Sequence, residues 1–354
     1  MGIDRQQAFS GTVAADLPLA ALDPYLASHI ENYAGPLIAE RFRGGQSNPT
    51  YKLTTPGRSY VLRRKPSGKL LASAHAIERE YRVTLALAEA SFPVARPLHL
   101  CTDDTIIGSA FYIMEHAPGR VIWQPHAPGL SAQDRAALFS SLNDTVAQLH
   151  GFDPASLGLT DFGKPQGYMA RQIKRWSEQY RASQTETVAA MDQLIAWLPA
   201  ACPADSGAAI VHGDFRLDNC IVHEAEPRII AVLDWELSTI GDPLADFTYH
   251  LMQWFMPVSE TGAGVGSLIG HEADPGIPAI AGYIADYCRR TGRSSIPGFD
   301  FYMAYNFFRL AAILQGILGR VRDGTAANPD AAAMAAQVKP LAETAWGFAR
   351  KAGA

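Results

Sequence analysis

The stretch His212-Gly213-Asp214-Phe215-Arg216-Leu217-Asp218-Asn219, followed by Ile229-Ile230-Ala231-Val232-Leu233-Asp234, decides the reading of this chain. It has the form of a strand, a loop, a hairpin and then an aspartate. The five-residue step from Asp214 to Asn219 lets one tight loop turn both side chains toward one centre. The hairpin from Asn219 to Asp234 returns a second carboxylate to the same edge. Asn219 and Asp234 suit a hard divalent cation such as Mg²⁺, which prefers oxygen ligands and keeps several waters. Asp214 can hold an attacking hydroxyl. His212 reads as a backbone-orienting histidine and not as the base.

Upstream of this loop the pattern has period two. Leu37–Arg43, Thr50–Thr55 and Ser59–Lys65 read as short strands, with Val94–Leu100 and Thr105–Met114 as two more. Thr55-Pro56-Gly57-Arg58 reads as a type II turn, since Pro fixes φ and Gly accepts a positive one. Ser73 to Ala90 reads as a helix with Ile77, Tyr81, Leu85 and Ala88 on one face, and a short helix is expected near Pro24–Tyr33. After Ala117-Pro118-Gly119 the chain turns mostly helical. Ser131 with Asp134 resembles a capping box, and further helices are expected over Met169–Tyr180, Thr187–Leu198, Pro243–Phe255, Ile277–Thr291, Phe301–Val321 and Ala331–Ala349. The expectation is an α+β chain in two lobes: residues 1–115 as a small antiparallel-sheet lobe, and 116–354 as a larger helical lobe carrying the decisive loop.

Composition narrows the function classes. The 354 residues are 48% hydrophobic and 18% charged, ordinary for a globular chain of about two domains at ~100–200 residues each. Thirty basic against thirty-five acidic residues leave a net charge of −5, which argues against a nucleic-acid binder. No apolar run reaches the ~18 residues of a membrane span. The start MGIDRQQAFSG has neither a signal peptide's apolar run nor, with Gln6, a myristoylation signal. Cys101, Cys202, Cys220 and Cys288 lie at least 18 residues apart, without a CxxC pair, and read as reduced thiols of a cytoplasmic protein.

Phosphoryl transfer from a nucleotide needs little covalent help and much positioning, which is what the loop offers. At these residues the chain resembles the aminoglycoside phosphotransferase-like kinases, relatives of choline and homoserine kinases within the protein-kinase-like fold. The resemblance covers roughly Leu37 to Tyr249. It implies a two-lobed kinase-like fold, ATP and Mg²⁺ as cofactors, and a hydroxylated small molecule as substrate. It also implies Asp214 as catalytic base, Asn219 and Asp234 as metal ligands, and Arg216 as a group that neutralises the transferred phosphoryl. In Gly241-Asp242-Pro243-Leu244-Ala245-Asp246, Asp246 would brace the catalytic loop. Gly44 to Tyr51, with Gly45, Ser47 and Asn48, looks like the family's phosphate-covering turn. Arg63 aligns with the family's phosphate-binding lysine, Lys65 lies two residues on along the same face, and Glu80 is the helix partner for that cation. Arg for Lys is a departure, because a planar fork replaces a point charge. The backbone of Glu115 and Ala117 would face the adenine.

Two literal motifs are decoys. Asp161-Phe162-Gly163 spells the kinase metal motif but precedes the catalytic loop. Gly158 to Lys164 mimics a P-loop, yet Pro165 stands where Ser or Thr would bind metal. Substrate-pocket candidates after Pro118 are Tyr168, Arg171, Gln172, Trp176, Trp254, Tyr305 and Arg309. The strings VLRRKPSGKLLASAHAIEREYRV and LDWELSTIGDPLADFTYHL resemble the kinase-like region of acyl-CoA dehydrogenase family members ten and eleven. That likeness implies a hydroxylated acyl group or its CoA thioester as phosphate acceptor, with Arg171 and Arg309 suited to an anion. A nucleotide-binding pseudokinase and an aminoglycoside- or choline-type kinase are the alternatives.

Overall fold

The computed structural model describes residues 12–14, 16–42, 48–66, 76–258, 266–322 and 336–354. Gly44, Gly45 and Ser47 of the expected phosphate-covering turn, and the first half of Thr261–Gly270, lie outside the described residues. Six antiparallel strands form one sheet in the order β1-β2-β3-β4-β6-β5: β1 (Thr12–Val13), β2 (Ile38–Arg41), β3 (Thr50–Thr54), β4 (Ser59–Arg64), β5 (Pro97–Cys101) and β6 (Phe111–Glu115). Alternation on β3 and β4 points Tyr51, Leu53, Tyr60 and Leu62 inward, where they meet Leu22 and Leu26 of α1 (Leu19–His29). Helix α1 starts a turn earlier than expected and carries Pro24 inside it. Burial of Leu22 and Leu26 outweighs the hydrogen bond that proline forgoes.

The β3–β4 turn is not type II, because Gly57 has no positive φ. The Thr55 side chain closes it instead: Arg58 N–H donates to Thr55 Oγ1 and Thr55 Oγ1 donates to Arg58 O.

Helix α2 (Ile77–Glu89) buries Ile77, Glu80, Val83, Thr84 and Leu87, a stripe rotated from the expected Ile77, Tyr81, Leu85 and Ala88. The reason is that α2 has two neighbours. Ile77 packs on Tyr112 of the sheet, while Val83 and Leu87 enter the large helical core. Glu80 therefore sits at the seam between the sheet and the helices.

The larger core gathers α3 (Ala132–Gly151), α4 (Tyr168–Ser183), α5 (Ala189–Ala201), α6 (Pro243–Leu251), α7 (Ile280–Thr291), α8 (Phe299–Arg322) and α9 (Val338–Lys351). Ser131 caps α3, its Oγ accepting from Asp134 N–H at 3.1 Å. Helix α8 is long and apolar enough to cross a membrane by composition, and 83% of that window is buried against neighbours such as α4, α6 and α9. Small ladders frame the decisive loop: β8 (Ala209–Val211) pairs with β11 (Thr239–Gly241), and β9 (Cys220–Val222) lies between β7 (Arg120–Val121) and β10 (Ile229–Val232). Gly119 must be glycine, since a Cβ there would lie 2.4 Å from Val222 O.

Candidate active site

The loop after β8 is held by its backbone before its side chains act. Gly213 adopts φ +84° with Leu237 O pressed against it, a conformation and a space that exclude other residues. Asp246, near the start of α6, accepts from the N–H groups of His212 (2.8 Å) and Gly213 (2.7 Å), the bracing role expected of it. Burial alone would raise the Asp246 carboxyl. His150, at 3.1 Å, and the loop N–H groups instead hold it below the ordinary carboxylate range, so it stays ionised. His212 is fully buried and structural, as expected. Its Nε2 donates to Leu233 O at 2.7 Å, which leaves Nδ1 to accept from Asp214 N–H at 3.2 Å.

Both oxygens of the Asp214 carboxylate are engaged. Tyr249 OH donates to Oδ1 at 2.6 Å, and Asn219 Nδ2 donates to Oδ2 at 3.0 Å and to the Asp214 carbonyl at 2.9 Å. With its nitrogen turned into the loop, Asn219 presents Oδ1 on the opposite side, the atom a hard cation takes. The Leu233 N–H donates to Asn219 O at 2.8 Å, so the residue next to Asp234 is tied directly to Asn219. Asp234 itself is left-handed at φ +64° and ψ +63°, a conformation that aspartate tolerates better than most residues and that swings its carboxylate off the strand direction. Asn219 and Asp234 thus supply an amide oxygen and a half-exposed carboxylate on one edge, a donor set that fits Mg²⁺ with waters completing its shell. Among the described residues there is no cluster of three His, Cys, Asp or Glu that would suit a softer or fully caged ion.

The cation above this edge is Arg63. Its Nε lies 2.8 Å from Glu80 Oε2 and its Nη2 2.8 Å from Asp234 Oδ1, with Glu236 at 3.7 Å. Burial opposes the charge, but Glu80 and Asp234 outweigh that and raise the guanidinium further. Glu80 is 2% exposed, and burial pushes its carboxyl up while Arg63 pulls it back. Asn48 Nδ2 (2.9 Å) and Tyr112 OH (3.3 Å) also donate to it. Of the two candidate cations, Arg63 is the one paired with Glu80, while Lys65 pairs with Glu78 at 2.5 Å. The buried Asn48 side chain thus turns inward to Glu80. At the expected hinge, Glu115 N–H donates to Arg96 O at 2.9 Å. Ala117 lies two residues past β6, in the link to β7.

Arg216 Nε stands 3.4 Å from Asp214 Oδ1 and Nη2 3.0 Å from Asp218, and both carboxylates keep it charged against burial. A cavity opens beside it, walled by Trp123, Leu217, Tyr249, Gln253 and Met256. The expected substrate residues do not line it. Tyr168 and Tyr305 are buried, and Tyr168 packs where a side chain on Gly241 would fall. Trp254 donates to Pro278 O and Trp176 to Gln172. Arg171 binds the carbonyls of Lys164 and Gln166. Arg309, only 8% exposed, donates to Gly213 O at 2.7 Å and lies 5.0 Å over the Tyr249 ring. Tyr168, Tyr305 and Arg309 are held by the framework because long and aromatic groups on buried helices fill cores first, whereas Arg171 is exposed and Trp254 borders a second cavity with Phe255, Pro278 and Phe348. Tyr249 and Trp123 were missed. For Tyr249 the signal was its place three residues after Asp246, on the same helical face.

The Asp161-Phe162-Gly163 decoy has a structural role. Arg79 of α2 donates to Phe162 O at 2.7 Å and covers the Phe162 ring at 4.1 Å, and Arg82 pairs with Asp161. The segment is a socket that fixes α2, and with it Glu80, on the helical lobe.

A sheet-and-helix pair of lobes with a base loop, an amide-plus-carboxylate edge and an ion-paired cation above it defines a kinase-like small-molecule phosphotransferase. The chain belongs to the phosphotransferase enzyme family known as APH, whose model matches residues 38–299. It is 42% identical over 354 residues to acyl-CoA dehydrogenase family member 10 of Mus musculus, covering 100% of this chain and 33% of that protein. It is likewise 42% identical over 339 residues to family member 11 of Rattus norvegicus, covering 94% and 43%. The chain thus spans well under half the length of these relatives. A crystal structure from Ralstonia eutropha, assigned as an aminoglycoside phosphotransferase, superposes with a TM-score of 0.85 at 46% identity over 95% of this chain and 99% of that one. A spectinomycin phosphotransferase crystallised with ADP and spectinomycin shares the fold, with a TM-score of 0.62 at 13% identity over 94% and 98%.

Proposed function

We propose that this protein uses Mg·ATP to phosphorylate a hydroxyl on a small molecule whose body is largely apolar, a hydroxyacyl group or its CoA thioester. The observation that carries the reading is the joint placement of Asp214, Asn219 and Asp234 on one edge beneath the Arg63–Glu80 pair. Bound there, Mg·ATP would supply the phosphoryl group and much of the neutralising charge. Asn219 and Asp234 would hold the metal, and Arg63, oriented by Glu80, would hold phosphate oxygens with its fork. Asp214 orients the acceptor hydroxyl and takes its proton, and Arg216 offsets charge on the moving group. Removing a positioned group of this kind raises a barrier by about 3 kcal/mol or more.

The acceptor reading rests on the cavity beside Arg216. Trp123, Leu217, Met252, Met256 and Leu310 give it apolar walls interrupted by Arg216, Asp218, His250 and Gln253, a mixed lining that favours an acceptor with a hydrocarbon body and a polar end. The names of the relatives, acyl-CoA dehydrogenases, point the same way. The test incubates purified protein with Mg·ATP and, separately, 4-hydroxyacyl-CoAs, choline and kanamycin, and follows ADP and phosphorylated product. The 4-hydroxyacyl-CoAs are expected to turn over. Turnover of kanamycin alone would overturn the acceptor assignment, and tight ATP binding without any turnover would favour a pseudokinase.

A further inference from the structure

We infer that Tyr249 is a positioning residue for the acceptor-activating carboxylate, holding Asp214 in its working rotamer from the wall of the acceptor cavity. This rests on the phosphotransfer reading above.

Helix α6 grips the loop twice from one face. Asp246 takes the backbone N–H groups of His212 and Gly213, and Tyr249, three residues on, takes the Asp214 side chain at 2.6 Å. With Asn219 on the other carboxylate oxygen, the Asp214 side chain has no free rotation left. Tyr249 is itself fixed. Arg309 of α8 lies 5.0 Å over its ring and donates to Gly213 O, so one cation steadies both the tyrosine and the loop backbone. Burial and the neighbouring Asp214 push the phenol far above its ordinary range, so it keeps its proton and acts toward the carboxylate only as a donor. Tyr249 also lines the cavity with Arg216 and Leu217, so a hydroxyl entering there would reach Asp214 past the tyrosine that holds it. A purely structural tyrosine would need none of this alignment with Asp214.

The test uses the full chain with Tyr249→Phe, Asp214→Ala and both together. Thermal unfolding and the Mg·ATP-induced shift check folding and nucleotide binding. Turnover is ADP release with a 4-hydroxyacyl-CoA and with water as acceptor. Tyr249→Phe is expected to keep its melting point and its KM for ATP within about twofold, and to lower kcat about 10–100-fold, the scale of a misplaced reacting group. In the Asp214→Ala background the second substitution is expected to add less than about twofold, because its effect runs through that carboxylate. Full turnover in Tyr249→Phe, a loss of ATP affinity in place of kcat, or a full additive loss in the double variant would each overturn the inference. If Asp214→Ala alone matched wild type, the phosphotransfer reading itself would fall, and this inference with it.

Discussion

Replacing Glu80 by Gln removes one charge from the most buried ion pair at the seam between the lobes while keeping the side chain's size. Glu80 is 2% exposed and the Arg63 side chain 12%, with 2.8 Å between Nε and Oε2. Breaking a buried pair by neutralising one partner costs about 3–5 kcal/mol. Two contacts lessen that here: Asn48 can still donate to the amide oxygen, and Arg63 keeps Asp234 at 2.8 Å. A loss of about 2–3 kcal/mol remains, which at a urea slope of about 2–3 kcal/mol per M moves the unfolding midpoint down by roughly 1 M. The function should change as well. Without Glu80 to draw it back, Arg63 leans on Asp234 and Glu236, competing with the metal for the Asp234 carboxylate, and Mg·ATP affinity is expected to fall about tenfold. Urea melts and calorimetric titration with Mg·ATP read the two effects. A midpoint within ~0.2 M of wild type, together with unchanged Mg·ATP affinity, would refute the role given to the Arg63–Glu80 pair.

The two arginines that clamp α2 should differ. Arg79→Ala removes a half-buried hydrogen bond and a ring contact and is expected to cost about 1–2 kcal/mol and to raise the KM for ATP, whereas Arg82→Ala breaks an exposed pair worth about 0–1 kcal/mol. Equal losses in urea melts would contradict the socket. His250 gives a pH signature. It is buried among Phe215, Trp254 and Tyr283, bonded to the Tyr283 hydroxyl at 2.8 Å, and burial lowers it from 6.5 to about 4. Its folded value lies below its unfolded one, so its stabilising contribution is complete above pH 6.5 and is lost as pH falls toward 4, about 3 kcal/mol in all. Urea midpoints measured across that window should slope less in His250→Gln than in wild type, and identical slopes would remove His250 from the acid response.

The sequence was most legible where chemistry fixes spacing. The offsets from Asp214 to Asn219 and Asp234 follow from what a loop and a hairpin can bring to one edge, and period-two alternation located β3 and β4 within a residue at each end. It was least legible where one element serves two neighbours. Helix α2 contacts both the sheet and the helical core, so no single apolar stripe describes it, and the buried face turned away from Tyr81 and Leu85. Pro24 misled for a similar reason, because local proline chemistry yielded to burial of Leu22 and Leu26. The lining of the cavity beside Arg216 was hidden because aromatic and arginine side chains look alike in sequence whether they wall a cavity or brace a loop. Tyr305 and Arg309 brace, while Trp123 and Tyr249 wall the cavity, and only the packing of α6 and α8 separates them.

The central claim is that Asn219 and Asp234 hold a divalent cation on a nucleotide beside the Asp214 base. Its most direct measurement is ATP binding by calorimetry with and without Mg²⁺, in wild type and in Asp234→Asn. The account predicts that Mg²⁺ tightens ATP binding to wild type at least tenfold, about 1.4 kcal/mol, and that Asp234→Asn abolishes that gain. An equal Mg²⁺-dependent gain in the variant, or none in wild type, would contradict it.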